Sequence, residues 1–203
     1  MHFLTATALA ALLASVSSAP TPGHVLHEKR LASRHWVKRD RIHSEVKLPM
    51  RIGLTQSNLE QGDDLLMSVS HPDSTSYGKY WTAEEVHDIF APAKGTVESV
   101  RSWLENAGIS ANRISQSVNK QWLQFDAKAQ EAEELFKTQY HFYEHEGLGK
   151  VSIACDEYHV PAHIQEHIDY ITPGIKLYAT KAAKPTEGEL EKRTFGVTGR
   201  GGK

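Results

Sequence analysis

Apolar and polar residues alternate along residues 45–54 of this chain. The apolar positions are Val46, Leu48, Met50, Ile52 and Leu54. Because successive side chains of a strand point to opposite faces, this period of two predicts a β-strand with one buried face. Similar alternation in residues 114–125, with a turn near Asn119-Lys120, predicts a hairpin. Residues 140–144 and 150–158, joined by a glycine-containing turn, predict a second hairpin.

Two capping signals predict where helices begin. Ser57 is followed three residues later by Glu60, and Thr82 is followed at the same spacing by Glu85. In such a capping box each side chain satisfies a free backbone N–H of the first helical turn. The first helix is expected to end at His71-Pro72, because the residue before a proline disfavours helical geometry.

Apolar residues at helical spacing predict three further helices. They cover residues 92–106, residues 128–138 and a short final segment that begins at Pro161 and ends before Pro173. The residues expected on the inward faces of the first two are Val97, Val100, Trp103, Leu104, Ala132, Leu135 and Phe136.

With the additional helices set aside, the element order reads βαββαβ. This order predicts an α+β fold, a ferredoxin-like split βαβ sandwich with an antiparallel sheet and extra short helices. Residues 20–43 are polar and basic, and we expect them to form a flexible lead-in. Residues 178–203, rich in Lys, Ala, Pro, Glu and Gly, are expected to be a disordered linker or tail. The predicted folded domain is therefore residues 44–177.

Residues 1–19 are typical of a secretory signal peptide. An uncharged apolar run over residues 3–16 precedes small residues, which fits cleavage after Ser18 or Ala19. The run is too short to cross a bilayer as a helix, and no second run approaches that length. We therefore expect a secreted protein, extracellular or vacuolar, with no membrane partner. The net charge of −2 over 203 residues argues against nucleic acid as a partner.

Residues 163–167 have the spacing of the H-x-x-E-H zinc motif. On a helix His163 and His167 would lie one turn apart and could share a metal ion. A catalytic zinc site also needs a third ligand on another element and a long helix that holds the two histidines rigid. The predicted helix is short, and the later acids Glu187, Glu189 and Glu191 lie in the predicted disordered tail, so we interpret the match as accidental. Cys155 and His159 would lie about 13 Å apart along a strand, too far for a nucleophile and its base. The single cysteine, Cys155, is expected to be a buried structural thiol.

Three pairs of adjacent basic residues are candidate proteolytic processing sites. They are Lys29-Arg30, Lys38-Arg39 and Lys192-Arg193. The alternative interpretation, that each pair is simply solvated, fits the sequence equally well for the first two pairs.

A dense set of residues in the predicted domain resembles the signature of one peptidase family's activation prodomain. Its first part is His71, Pro72, Ser74, Tyr77, Gly78, Lys79, Tyr80, Trp81, Thr82, Glu84, Glu85 and Val86. Its later parts are Pro92, Val100, Trp103, Leu104, Gly108, Ile109, Glu131, Ala132, Glu133, Leu135, Phe136, Thr138, Tyr140, Tyr143, Tyr158, Pro161, His167, Ile168, Asp169, Thr172 and Pro173. The family is that of the sedolisins, acid serine-carboxyl peptidases that include kumamolisin and the tripeptidyl peptidases. The resemblance covers roughly residues 45–177.

This resemblance implies a fold similar to subtilisin propeptides and a function as intramolecular chaperone and cleft-occluding inhibitor. It implies a sedolisin catalytic domain as the partner, in the same chain or in another. The strand that enters the cleft should begin near the C-terminal boundary, in residues 172–178 and the tail to Arg193. The catalytic triad, oxyanion aspartate and calcium site of the family belong to that catalytic domain. We therefore expect no catalytic, cofactor or metal-binding residue here, and interpret the chain as an orphan or truncated prodomain. The alternatives are a free-standing secreted inhibitor acting in trans and a truncated version of a full tripeptidyl peptidase.

Overall fold

A four-stranded antiparallel sheet lies at the centre of the protein, whose computed structural model describes residues 23–31 and 35–178. In chain order the described strands are β1 His24–Lys29, β2 Trp36–Arg41, β3 Lys47–Leu54, β4 Ser115–Gln116, β5 Trp122–Lys128, β6 His141–His145, β7 Val151–Ala154, β8 Glu157–Pro161 and β9 Ile168–Thr172. The described helices are α1 Gly62–Ser70, α2 Ala83–Ile89, α3 Lys94–Asn106 and α4 Ala129–Phe136. Short 3-10 turns cover Leu59–Gln61, Ala111–Arg113 and Gln165–His167.

The central sheet has the strand order β4-β5-β3-β9, and every neighbouring pair is antiparallel. Helices α1 to α3 lie between β3 and β4 in the chain, and α4 lies between β5 and β9. This is the βαββαβ order with the strand arrangement of a split βαβ unit. The predicted α+β fold class is confirmed.

The hydrophobic core fills the space between one face of this sheet and helices α3 and α4. Alternate residues of β3 and β5 point into it, as the period of two predicts. The predicted inward faces of α3 and α4 are confirmed, with Val97 and Trp103 packed at the margin. Core residues that are less than 5% exposed include Leu48, Met50, Ile52, Leu54, Val100, Leu104, Leu123, Phe125, Ala132 and Phe136.

Two strands occupy the segment that was expected to be a flexible lead-in. Strand β1 pairs antiparallel with β8, and β2 pairs antiparallel with β6, which in turn pairs with β7. The prediction of flexibility over residues 20–43 is therefore wrong where these strands lie. Their partners come more than 100 residues later, and backbone pairing at that distance leaves no local pattern in the sequence. We call β1 and β2 together the N-terminal clasp.

The predicted helix from Pro161 to Pro173 is also wrong. Pro161 ends strand β8, a 3-10 turn follows, and β9 completes the edge of the central sheet. Ile164, Ile168 and Ile171 are all buried, and their spacing of four and three resembles a helical face. A turn followed by a bulged strand buries the same three residues, so periodicity alone did not separate the two structures.

Two local predictions have opposite outcomes. Thr82 caps α2 with both hydrogen bonds of a capping box to Glu85, as predicted. Ser57 is not a cap, because Asn58 occupies the position before the 3-10 turn, at φ 61°, and makes no capping bond with its side chain. The predicted strand over residues 150–158 is divided into β7 and β8 by Cys155 and Asp156.

Candidate functional site

Residues 57–90 form a two-helix arm that contributes almost nothing to the hydrophobic core. The arm contains the first 3-10 turn, α1, a connecting turn and α2. All of its residues are described; Val69 is the one buried side chain among them, and none belongs to the core cluster. Lys120, in the turn between β4 and β5, forms an ion pair with Asp88 of α2. Gln56 donates a hydrogen bond to the carbonyl of Phe90 at 3.5 Å.

The arm instead presents apolar side chains to solvent. Among the described residues it carries six of the eleven exposed large hydrophobic side chains, namely Leu59, Leu66, Met67, Tyr77, Tyr80 and Val86. Between α1 and α2 lies an apolar groove of about 280 Å³, lined by Gly62, Leu65, Leu66, Val69, Tyr80, Trp81, Val86 and Phe90. Contiguous exposed apolar surface of this kind marks sites of protein–protein contact or ligand binding.

The turn between α1 and α2 contains the family-motif residues His71, Pro72, Tyr77, Gly78, Lys79 and Tyr80. The backbone N–H of Gly78 donates to the carbonyl of Val69 at 2.9 Å, which folds the turn back on the end of α1. Gly78 has φ +77°, a conformation that favours glycine. The side chain of Ser74 donates to the carbonyl of Ser68. These bonds fix a turn that holds Tyr77 and Tyr80 in solvent.

The later motif residues serve the fold. Pro161 is buried at the end of β8, and His167 Nδ1 lies 3.1 Å from Thr96 Oγ1 of α3. The carbonyl of Asp169 lies 3.1 Å from His27 Nε2 of β1, while the Asp169 side chain is exposed. Tyr140, buried in the core, donates its hydroxyl to the carbonyl of Pro173 at 2.8 Å. The two parts of the motif therefore differ, since the first faces solvent and the second joins elements together.

Residues 173–178, the exit segment, lead the chain away from the end of β9. Cys155 N donates to the carbonyl of Gly174 at 3.1 Å. A Cβ on Gly174 would lie 2.5 Å from the carbonyl oxygen of Ile171, so this position requires glycine. Lys176 Nζ lies 3.9 Å from the ring centre of Tyr170, and Tyr178 is 72% exposed. Beside the segment lies an open groove of about 550 Å³ that includes Pro49, Arg51, Ile153, Thr172, Lys176 and Tyr178.

The H-x-x-E-H match does not lie on an α-helix. His163 and Ile164 precede the 3-10 turn Gln165–His167, and Glu166 lies 3.9 Å from His167 Nε2. Within residues 23–31 and 35–178, no three or more His, Cys, Asp or Glu side chains are grouped to hold a metal ion. Cys155 is fully buried, and burial raises the pKa of its thiol to about 12. The prediction of a buried structural thiol is confirmed.

The basic pairs of the described residues lie within a paired strand or at its end. Lys38 and Arg39 belong to β2, where Lys38 Nζ lies 2.7 Å from Asp156 and Arg39 Nε lies 2.9 Å from Glu144. Lys29 of β1 pairs with Glu157 at 2.9 Å. The other processing candidates, Ser18, Ala19, Lys192 and Arg193, lie outside the described residues. Over the part of the chain that the structure describes, no helix has the length and apolarity to cross a membrane.

Comparison with known proteins identifies the class of this fold. The family model for the pro-kumamolisin activation domain matches residues 34–177, and the chain belongs to this family. The matched region includes strand β2, which lies before the predicted boundary at residue 44.

The chain is similar to the N-terminal part of several sedolisin-type peptidases. It is 53% identical over 196 residues to tripeptidyl-peptidase sed1 of Aspergillus fumigatus, which covers 96% of this chain and 30% of the relative. It is 47% identical over 167 residues to aorsin of Aspergillus oryzae, covering 82% of this chain and 26% of aorsin. It is 32% identical over 162 residues to physarolisin of Physarum polycephalum, covering 76% of this chain and 28% of physarolisin. The chain thus spans less than a third of the length of these relatives.

Proposed function

We propose that this chain is a secreted activation prodomain that docks on a sedolisin-type catalytic domain, assists its folding and inhibits it by closing its substrate cleft. The observation that carries the proposal is the arm, an ordered two-helix unit whose apolar side chains the rest of the domain leaves in solvent. The family match and the similarity to tripeptidyl peptidases support a catalytic domain as the partner.

The arm provides the energetic basis for docking. Fully burying an exposed Leu or Met side chain at an interface contributes about 1.5–3 kcal/mol of favourable free energy. Leu66, Met67, Tyr80 and the groove between α1 and α2 lie within one unit, so a partner that covers them buries several such side chains at once. A rigid surface that binds the folded partner and not its unfolded chain stabilises the folded form, which is the basis of a chaperone function.

The exit segment supports the inhibitory part of the proposal. Tyr140 and Cys155 anchor its backbone to the core, and the side chain of Tyr178, the last described residue, is 72% exposed. An extended peptide that is held at one end suffers a smaller loss of entropy when it enters a cleft. The same geometry serves a catalytic domain in the same polypeptide and one in a separate chain.

Inhibition in trans tests this proposal. Residues 20–203 would be titrated against the mature catalytic part of tripeptidyl-peptidase sed1, and hydrolysis of a chromogenic tripeptide would be followed at acid pH. We expect stoichiometric inhibition, and a higher yield of active enzyme when the catalytic part is refolded in its presence. Absence of both effects would exclude the proposal, and peptide hydrolysis by residues 20–203 alone would show an enzyme instead.

A matched pair of variants tests the docking surface. Leu66→Glu places a charge on the apolar face of the arm, and we expect inhibition to weaken at least about tenfold, equivalent to about 1.4 kcal/mol. Leu31→Glu makes the same change at a side chain that is 89% exposed outside the arm, and should leave inhibition within about twofold. Equal losses for both variants would show that the arm is not the docking surface.

A further inference from the structure

The N-terminal clasp is fastened to the domain around one residue, Asp156, between β7 and β8. Asp156 Oδ2 accepts from Lys38 Nζ of β2 at 2.7 Å, and Oδ1 accepts from the hydroxyl of Tyr143 of β6 at 2.7 Å. The carbonyl oxygen of Asp156 accepts from the backbone N–H of Arg30 at 2.7 Å, and Arg30 Nη2 lies 3.9 Å from Oδ1. One residue thereby contacts the end of β1, strand β2 and strand β6.

Arg30 makes this attachment depend on the charge of Asp156. The Arg30 side chain is only 11% exposed, lies 4.0 Å from the ring centre of Tyr143 and donates to the carbonyl of Cys155. Its Nε is buried without a hydrogen-bond partner. Among the described residues, Asp156 is the one carboxylate within 4 Å of this guanidinium. A buried cation without a counter-charge is strongly unfavourable, so loss of the Asp156 charge should expel Arg30 and the end of β1.

The two basic pairs of the described residues lie at the end of β1 and within β2. Lys29-Arg30 lies where β1 ends, and Lys38-Arg39 lies within β2. In the folded domain Lys29 pairs with Glu157 along the β1–β8 ladder, and Lys38 pairs with Tyr143 along the β2–β6 ladder. The register of β2 shifts between Lys38 and Arg41, so Arg39 lies in an irregular part of a paired strand. An endoprotease needs a free, extended segment, so cleavage follows the fraction of molecules in which the strand has opened.

We propose that the peptide bonds after Arg30 and Arg39 are latent processing sites for an endoprotease that recognises paired basic residues, and that Asp156 gates both sites. Hydrolysis adds water across the Arg30–Leu31 or Arg39–Asp40 bond, leaving a carboxylate on the arginine and an amine on the next residue. In the closed domain the first site is held by the buried Arg30 side chain. The second site is held by the pairing of Lys38 and Arg41 with β6 on either side and by the ion pair between Arg39 and Glu144. Opening of the clasp releases these contacts and exposes both sites together. The gate is independent of docking on a peptidase.

Limited proteolysis tests the gate. Residues 20–203 would be digested with a dibasic-specific endoprotease and, in parallel, with trypsin, and the products identified by mass. In the wild-type chain we expect cleavage after Arg30 and Arg39 at least about a hundredfold slower than in a synthetic peptide of residues 24–41. Asp156→Asn should accelerate both cleavages at least about tenfold, and leave tryptic cleavage after Arg51 in β3 unchanged. The matched control Glu157→Gln removes only the surface pair with Lys29 and should change cleavage after Arg39 by less than about twofold.

A second variant keeps the test decisive if Asp156→Asn does not fold. Tyr143→Phe removes the hydroxyl that donates to Asp156 and keeps the ring beside Arg30, so both cleavages should accelerate by a smaller factor. The proposal is overturned if the wild-type chain is cut as fast as the peptide. It is equally overturned if cleavage after Arg51 accelerates as much as cleavage after Arg39, because global unfolding then explains the result.

Discussion

The arm and the central sheet contrast in how they use apolar residues. In the sheet, β3 and β5 place every second side chain against α3 and α4, and those side chains are almost fully buried. In the arm, α1 has one buried residue and α2 has none. Both regions are regular secondary structure, yet only the sheet derives its stability from packing within the domain.

This contrast distinguishes the apolar residues that the fold requires from those that a binding partner requires. Apolar residues that are buried inside the domain stabilise the domain itself, and that is sufficient reason for their presence. Apolar residues that remain exposed on an ordered surface, such as Leu66 and Tyr80, are explained by contact with another surface. The family motif has members of both kinds, so motif membership does not by itself identify an interface.

The largest expected effect lies in the sheet. Leu123→Ala removes a side chain of β5 that is 0% exposed, and should lower the free energy of unfolding by about 3 kcal/mol, from lost burial and the cavity left behind. Leu66→Ala makes the same change in the arm and should lower it by less than about 0.5 kcal/mol. Urea denaturation followed by circular dichroism measures both. Equal losses would show that the arm packs as part of the core.

A smaller effect is expected within the arm. Thr82→Ala deletes the side chain that accepts from the Glu85 backbone N–H at 3.2 Å, and should destabilise α2 by about 1 kcal/mol. Amide hydrogen exchange should show faster exchange in α2 and no change in β3. Ser57→Ala is the control, because Ser57 makes no cap in the structure and its removal should leave exchange unchanged. Faster exchange in β3 would mean that arm and sheet unfold together.

The smallest effect concerns pH and lies in the clasp. Burial, with Lys137 and His159 close by, lowers the pKa of His24 in β1. Because the pKa of His24 is lower in the folded protein than in the unfolded chain, the unfolded chain binds the proton more readily. Protonation therefore favours unfolding, and the stability that neutral His24 allows is lost as the pH falls below about 6.5. We expect urea denaturation to show a lower stability at pH 5.5 than at pH 7.5.

The variant His24→Gln should reduce that difference. Lys137→Gln removes the neighbouring positive charge and should raise stability at pH 5.5 relative to the unmodified chain. An unchanged pH dependence in His24→Gln would assign the effect to another group, such as His141, whose pKa burial also lowers.

Strands β3 and β5 of the central sheet and the start of α2 could be predicted from the sequence because their signals are local. The alternation in β3 and the capping box at Thr82 act over a few residues, and each folds as its pattern predicts. The motif residues between 71 and 173 are likewise visible in the sequence, and the family that they indicate is the one whose model matches the chain.

The clasp and the final strand could not be predicted, because distant residues determine them. Strand β1 has a mixed composition, with two apolar residues, two histidines, one Glu and one Lys. Its pairing with β8 becomes visible only when residues 157–161 are placed beside it. Asp156 has no sequence signal at all, since its importance comes from Lys38, Tyr143 and Arg30 converging on it from three places in the chain. The exposure of the apolar side chains of the arm could not be predicted from the sequence either. An amphipathic helix has the same sequence pattern whether its apolar face is covered by its own domain or by a partner.

The pairing of β1 with β8 has a consequence for the order of events during synthesis. Glu28 of β1 and its ladder partner Tyr158 of β8 are 130 residues apart, so the first strand leaves the ribosome long before its partner exists. Strand β9, which pairs with the central strand β3, is made later still. Such distant contacts slow folding, and the pairing of β1 with β8 and of β3 with β9 can form only once residues 157–172 have emerged. The last strands to pair are therefore β8 and β9, near the C-terminal end of the domain. In the longer relatives the rest of the polypeptide follows that end.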